Sequence, residues 1–284
     1  MPFAQEILFP VDFSPGALAL APAVAAMARR LHAPVTLLTA VEALRPELEI
    51  ADAALLGQIE RRTAAKLASF ASADLAGLTM RHVVAPGPAG QAVVDRAAKM
   101  SAPLIVMPTH GESAFRRLLL GSVTAVVLHD AGCPVWTSAH CEEGGPLPLE
   151  YRSIVCAVDL GPRTVEVLKL AAAFAADFGA DLHVVHAVPG IDPTFESGAA
   201  NRAHAFLVDA ARADYPALAA AAGVRPAVEI AEEVGLVAGV TAAVSRHRAD
   251  LLVIGRGAMQ GVLGRLRTNA HELIRQSTCP VLSV

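Results

Sequence analysis

The amino-acid sequence predicts an α/β protein made of two tandem doubly wound open parallel sheets with helices on both faces. Three observations carry that prediction. Short β-branched runs alternate with longer stretches of helical periodicity, the pattern of strand-helix-strand units. Two of the runs, LIVM at 104–107 and LLVI at 251–254, are unbroken apolar segments, as strands buried on both faces require. The chain also repeats itself: Val11-Asp12 recurs as Val158-Asp159, Val41 as Val188 and Val106 as Val253, each 147 residues on. Cys133-Pro134 recurs as Cys279-Pro280 at 146, which needs one deletion near the end.

In the first copy Glu6 to Val11 reads as a strand. Ser14 then offers an N-cap and Pro15 the first helical position, where a missing N–H costs nothing. Leu18, Ala21, Val24, Ala28 and Leu31 line one face of the helix that follows. Strands over Val35 to Val41, Met80 to Ala85, Leu104 to Met107 and Pro134 to Thr137 alternate with helices over Glu47 to about Ala73, Gly87 to Met100 and Ser113 to Asp130. The second copy repeats the order, with strands over Ile154 to Val158, Leu182 to Val188, Ala227 to Ala231, Leu251 to Ile254 and Val281 to Val284. Its helices are expected over Thr164 to Phe178, within Asn201 to Ala222, over Leu236 to Arg248 and over Met259 to Gln276. Between the copies, Ser138 to Glu150 is rich in Gly, Pro and Glu without apolar periodicity and reads as a linker. The expected division is a first domain over 1–138, a linker over 139–150 and a second domain over 151–284.

Composition excludes several classes. With 54% hydrophobic and 18% charged residues over 284 positions, the chain is not intrinsically disordered. Its net charge of −4 leaves no basic footprint for a nucleic acid. The longest apolar candidate, Pro15 to Ala28, contains two prolines and runs into Arg29 and Arg30, so no membrane span is expected. The N-terminus lacks a basic leader, and Cys133, Cys141, Cys156 and Cys279 form no C-x-x-C pair, so a reduced, cytoplasmic setting is expected.

Ligands of such a sheet sit beyond the carboxyl ends of its strands, and two strand ends carry chemistry there. The first strand of each copy ends in an aspartate, Asp12 in FPVDFSP and Asp159 in CAVDLGP. Such a residue caps the next helix, accepts hydrogen bonds from a ribose or base, or organises a metal, and position alone does not choose. The fourth strand of the first copy opens into MPTHGESAFRRLLLGSVT, Met107 to Thr124, where Gly111 allows close backbone approach and Gly121-Ser122 leads a helix whose first N–H groups suit an anion. Alone, these glycines read equally as turn punctuation.

Together the segments resemble the universal stress protein family, whose adenine-nucleotide-binding members carry G-x2-G-x9-G-S/T after the fourth strand. The resemblance runs through VDFSP, THG, LLLGSVT and CPV in copy one and VDLGP, IGRG and CPVLSV in copy two. It implies a five-stranded sheet of order 3-2-1-4-5 in each copy, ATP or AMP held between the first and fourth strands, alone or with Mg2+, and a last strand that pairs within the chain or across a homodimer. Carried over by position, the implied nucleotide-binding residues of copy one are Asp12, Val41, Met107, Thr109, His110, Gly111, Gly121, Ser122, Val123 and Thr124. Asp12 would meet ribose or base, Val41 the adenine through its backbone, and Gly111, Gly121 and Ser122 the phosphates. The departure is Pro108 at the first motif glycine, which removes one N–H donor. In copy two Asp159, Val188, Gly255, Gly257 and Asn269 are the implied residues, but Ala258, Thr268 and Asn269 replace the other three motif positions. Arg256, Arg265 and Arg267 there meet phosphate if they point inward and are otherwise solvated.

The implied function is an adenine-nucleotide-binding sensor or adaptor in a stress response, not an enzyme, whose occupancy alters conformation or partner choice. Two alternatives remain open. A slow ATPase would use the same pocket, although no base beyond Asp12, no arginine finger and no metal ligand set is evident. A non-nucleotide interaction scaffold would fit Pro108 and the altered second motif. Of the histidines, His183 and His186 are three apart on a strand and so face opposite ways, which argues against a shared metal. Cys133, Cys156 and Cys279 read as small buried hydrophobes, with Cys141 in the linker, and Trp136 suits an edge contact or packing under its own helix.

Overall fold

The computed structural model of the chain describes residues 3–42, 53–101, 103–109, 120–139, 147–190, 198–256 and 265–284. It divides into two units, 1–149 and 150–284. In the first, β1 (Glu6–Pro10), α1 (Pro15–Leu31), β2 (Val35–Val41), α2 (Ala53–Ser69), β3 (Met80–Pro86), α3 (Ala89–Ala98), β4 (Pro103–Pro108), α4 (Ser122–Asp130) and β5 (Val135–Ser138) follow in order. The strands lie in the order β3-β2-β1-β4-β5, the 3-2-1-4-5 arrangement, and pair in parallel. Leu8 stands opposite Thr36 on one side and Ile105 on the other, so β1 and β4 are central, and Ile7, Leu8, Phe9, Leu104, Ile105 and Val106 are fully buried.

The first crossover shows why the sequence folds this way locally. Ser14 is extended and its Oγ accepts the Ala17 N–H at 3.1 Å, with Pro15 at the first helical position, as expected. Leu20, Ala21, Val24, Ala28 and Leu31 are buried, but Leu18 is exposed. At 100° per residue Leu18 lies well round from the Ala17–Ala21–Val24–Ala28 stripe, and Leu20 takes its place. Trp136 is fully buried on β5 opposite Val106. Where α3 approaches α4, a Cβ on Gly90 would stand 2.8 Å from both Cβ and Cγ1 of Val126, so only glycine permits that spacing.

The second unit repeats the scheme with β6 (Ser153–Ala157), α5 (Thr164–Phe178), β7 (Asp181–Ala187), α6 (Gly198–Ala222), β8 (Val228–Ala231), α7 (Leu236–Arg246), β9 (Leu251–Ile254), α8 (Arg265–Gln276) and β10 (Val281–Ser283). Its strand order is β8-β7-β6-β9-β10, again parallel. Tyr151 meets Phe174 and Phe178 edge-on at 5.1 and 5.0 Å, and the two Phe rings stack at 4.4 Å, anchoring the end of α5. The expected helix starts at Glu47, Ser113 and Met259 lie outside the described residues, as do Cys141 and most of the expected linker. Among the described residues, no helix is long and apolar enough to cross a membrane.

Replacing Gly90 with Ala is expected to cost about 1–3 kcal/mol through overpacking against Val126. A urea titration of Gly90→Ala, and of the same variant combined with Val126→Ala, checks this: the second change should restore only the part of the lost midpoint that Cγ1 causes, because the Val126 Cβ at 2.8 Å remains.

Candidate functional site

The carboxyl edge of the first unit is built by β1, β4 and α4. Asp12 follows β1 and is exposed; its Oδ1 accepts the Ser14 N–H at 3.0 Å, so the capping role is realised. Gly121 caps α4 with φ −58° and ψ 147°, and its N–H donates to Thr109 O at 2.9 Å. The Thr124 hydroxyl is shared between Pro108 O at 3.1 Å and Thr109 O at 3.3 Å, which ties the helix start to the end of β4. The first intrahelical bond runs from Ala125 N–H to Gly121 O at 2.9 Å, so the N–H groups of Ser122, Val123 and Thr124 precede it and form the positive end of the helix. Met107 and Thr109 are buried, whereas Val41 is half-buried with its carbonyl accepting the Gly87 N–H at 3.2 Å. His110 and Gly111 lie outside the described residues.

At the same edge of the second unit a cavity of about 930 Å³ opens beyond β6, β7 and β9. Its floor is Val158, Ala187 and Ile254, and its walls are the starts of α5 and α7 and one side of α8. Three of the expected residues, Asp159, Gly255 and Asn269, line it. Val188 does not; it is buried with its N–H donated to Ala231 O at 2.9 Å. Gly257 lies outside the described residues. Asp159 Oδ1 accepts from Gly161 N–H at 2.9 Å and Thr164 Oγ1 at 3.3 Å, matching the cap formed by Asp12. Gly235 starts α7 at φ 121°, a conformation that side chains rarely adopt, and so turns the chain into the cavity wall.

Sequence reasoning missed part of this lining. The sequence marks His186 only through its spacing from His183. Its Nδ1 stands 2.8 Å from Val158 O, and since a carbonyl only accepts, Nδ1 carries the proton and Nε2 is an acceptor in the neutral ring. Glu272 on α8 and Val234 to Thr241 around the start of α7 were also missed. Val234 to Thr241 lie on the third crossover, away from the repeated motifs, and Glu272 lies beyond the motif positions on α8, so no residue pattern marks them. Arg163, another lining residue, is occupied: its Nε and Nη2 each meet Glu166 at 3.1 Å.

Other titratable groups brace the loops around this edge and the opposite one. His204 on α6 places Nδ1 3.1 Å from Pro189 O and Nε2 2.8 Å from Glu232 Oε2, a pairing that uses both ring nitrogens as donors. The hydrogen bond to Glu232 raises its pKa above the usual 6.5. Far along α7, the His247 and His183 rings stack at 3.9 Å, and burial followed by the neighbouring His247 lowers the pKa of His183. Burial pushes the Glu229 carboxyl up, but hydrogen bonds from His247 and Arg246 outweigh it and leave the group below its ordinary value. Burial pushes the Cys156 thiol up to about 12 and that of Cys279 to about 11, so neither is a nucleophile at neutral pH.

Two doubly wound units with a ligand-sized opening at a carboxyl edge define a tandem open-sheet α/β protein. The universal stress protein family matches residues 4–138 and again 150–284, and the chain belongs to that family. A universal stress protein from Archaeoglobus fulgidus DSM 4304 is 19% identical with a TM-score of 0.66, the match covering 99% of this chain and 97% of that one. A protein of unknown function from Pseudomonas aeruginosa PAO1 is 18% identical with a TM-score of 0.63, over 99% of this chain and 92% of that one. These likenesses are of fold. A half-length universal stress protein from Archaeoglobus fulgidus, solved in complex with dAMP, is 21% identical over 47% of this chain and 97% of that one, with a TM-score of 0.36. Among curated proteins none matches.

Because the folded His204 titrates above 6.5, its stabilising contribution is complete below that value and is lost as pH rises through the folded pKa. The stability gap between wild type and His204→Gln should therefore be widest at acidic pH and close in alkaline buffer. Urea midpoints across a pH series check this; a gap that widens with pH contradicts it.

Proposed function

We propose that the protein is an adenine-nucleotide-binding sensor or adaptor in a stress response, holding ATP or AMP in its first unit beyond the ends of β1 and β4. The observation that carries this reading is the Gly121-Ser122-Val123-Thr124 segment. Its backbone donors start a helix, and Thr124 fastens that start to the carbonyls of Pro108 and Thr109. A helix N-terminus fixed at a strand end is suited to phosphate, since partial positive charge and N–H donors converge there without side-chain reorganisation. β1 and β4 are neighbours, so Asp12 stands on the same edge, where its carboxylate would accept from a ribose hydroxyl. Val41, at the end of β2 on the other side of β1, supplies backbone to the adenine. Pro108 fits the role seen here, because the position contributes its carbonyl to Thr124 and needs no N–H for that bond. Mg2+, where it accompanies ATP, would be held by phosphate oxygens and water together with Asp12.

Binding is read by native mass spectrometry of the full chain with ATP and Mg2+, which reports stoichiometry and oligomeric state together. One nucleotide per chain is expected in the first unit. Gly121 has a backbone conformation open to any residue, so Gly121→Val should keep the fold while weakening ATP binding by at least about tenfold through obstruction of the phosphate path. Unchanged affinity would contradict the assignment, and no uptake at millimolar ATP would place the protein among interaction scaffolds.

A further inference from the structure

A helix that covers a parallel sheet turns an apolar side inward and a charged side to water. In the first unit α2 does so, exposing Gln58, Glu60, Arg61, Arg62 and Lys66. In the second unit α6 fills the matching place and does not. Its inward side is apolar in the ordinary way, with Val208, Ala211, Tyr215 and Ala219 buried. Yet Phe206, about 180° round the helix from Tyr215 at 100° per residue, is 71% exposed, the most of any large apolar side chain among the described residues. Its neighbour Leu207 is 48% exposed. Ala199, Ala203, Phe206, Ala210, Ala213 and Ala217 follow one another at alternating spacings of four and three, the pattern of a helix-to-helix seam.

Two charges border this outer face. Arg202 and Asp209 directly precede Ala203 and Ala210, so they hold equivalent places in successive repeats on one side of the seam. Both are exposed, and neither side chain makes a hydrogen bond or ion pair with a described residue. Seven residues separate them, roughly 10 Å of helix, which sets them on the same side and in different turns. The opposite border carries Leu207 and Ala200 and no charge between them and the seam.

A second copy of the same helix, laid antiparallel about a two-fold axis between His204 and Ala205, answers both borders and the seam together. Phe206 then faces Ala203 of the second copy, and Ala199 faces Ala210, each contact occurring twice by symmetry. Small residues opposite the ring leave it a recess to fill. Arg202 faces Asp209 of the second copy along one border, and Leu207 lies along Ala200 on the other. Charge selects this arrangement over its neighbours. Shifting one helix by seven residues sets Arg202 against Arg202 or Asp209 against Asp209, according to direction, and a parallel alignment sets Asp209 against Asp214.

We propose that the outer face of α6 is a self-association surface on which a second copy of this chain docks its own α6 antiparallel, with Phe206 of each copy in the seam and Arg202 of each paired with Asp209 of the other. The overlap runs from 198 to 211 in each copy, about 21 Å of helix, so the contact is smaller than a permanent interface and forms a weak, reversible dimer. It uses neither β5 nor β10, and no residue of either carboxyl edge enters it.

The test is analytical ultracentrifugation of the full chain over about 5–500 μM, a range that spans weak association. Wild type should pass from monomer to dimer. Phe206→Asp should weaken the dimer by at least about tenfold while leaving the urea midpoint of the chain unchanged, because the ring is exposed in the single copy. Arg202→Asp and Asp209→Arg should each weaken it by about fivefold or more, since each sets like charges face to face. The double variant carrying both changes should return to within about threefold of wild type, because only the antiparallel register exchanges those two positions. The proposal is overturned if the chain stays monomeric throughout, which would assign the face to a different partner. It is equally overturned if a dimer forms that Phe206→Asp leaves intact, or if the double variant associates no better than the single ones. Gly121→Val, which tests the nucleotide site, should leave association unchanged, so the two readings fail separately.

Discussion

Parallel pairing is the constraint from which the rest of each unit follows. A parallel strand cannot be reached by a tight turn, so the chain must return along a helix after every strand. All strand carboxyl ends, and the helix starts that follow them, consequently gather at one edge. The order of strands then decides where that edge opens. β1 has β2 on one side and β4 on the other, and β6 has β7 and β9, so successive crossovers leave toward opposite faces at these positions. The described cavity lies beyond β6, β7 and β9, as this geometry requires. The aspartates at 12 and 159 are placed there by the same rule, each joining the end of its first strand to the turn that starts the next helix.

The ladder at this edge is reproduced closely in the two units while its side chains are not. Val11 N–H meets Leu38 O at 2.7 Å, and Val158 N–H meets Val185 O at 2.9 Å. Thr109 N–H meets Ser138 O at 3.2 Å, and Arg256 N–H meets Val284 O at 2.8 Å. Backbone bonds carry the frame, so residues pointing away from it are free to change. Toward the amino edge, Glu6 gathers Thr36 Oγ1 at 3.0 Å and Arg81 Nη1 at 2.7 Å. The residue matching Thr36 is His183, and the second unit satisfies its own charges with Glu229, Arg246 and His247. Each unit thus encloses a hydrogen-bonded polar group at the amino side, where an unpaired charge would be costly, and keeps variable chemistry for the carboxyl side.

The frame was legible in the sequence because it depends on patterns that burial makes unavoidable. LIVM and LLVI read as central strands of a sheet covered on both faces, and Ser14-Pro15 as the start of a helix. The 3-2-1-4-5 order came with the family resemblance and was not contained in the strand patterns themselves. Legibility fell where a side chain's direction matters more than its type. Leu18 was counted into the apolar stripe because it is a leucine, although its angle on the helix turns it to solvent. His186 was set aside with His183 because their spacing excludes a shared metal. That spacing says nothing about the cavity, which His186 lines and His183 does not. Glu272 gave no signal, since a charged residue on an amphipathic helix ordinarily faces water.

The start of the last helix shows why site chemistry can drift without endangering the fold. Val127 and Leu128 hold α4 to its sheet, and at the 146 offset they match Leu273 and Ile274, which are buried in α8. These inward residues lie in the second and third turns and fix the helix axis in both units by burying apolar area. The first turn contributes little to that burial in α4, where only Thr124 is buried, and serves mainly to aim N–H groups at the edge. At this offset Ser122 matches Thr268, so α8 begins three residues earlier, which leaves the apolar anchor intact and changes what the helix start presents at the edge. Stability and ligand chemistry are therefore carried by different turns of one helix, and two copies of the same fold can hold the same core while the start of that helix differs.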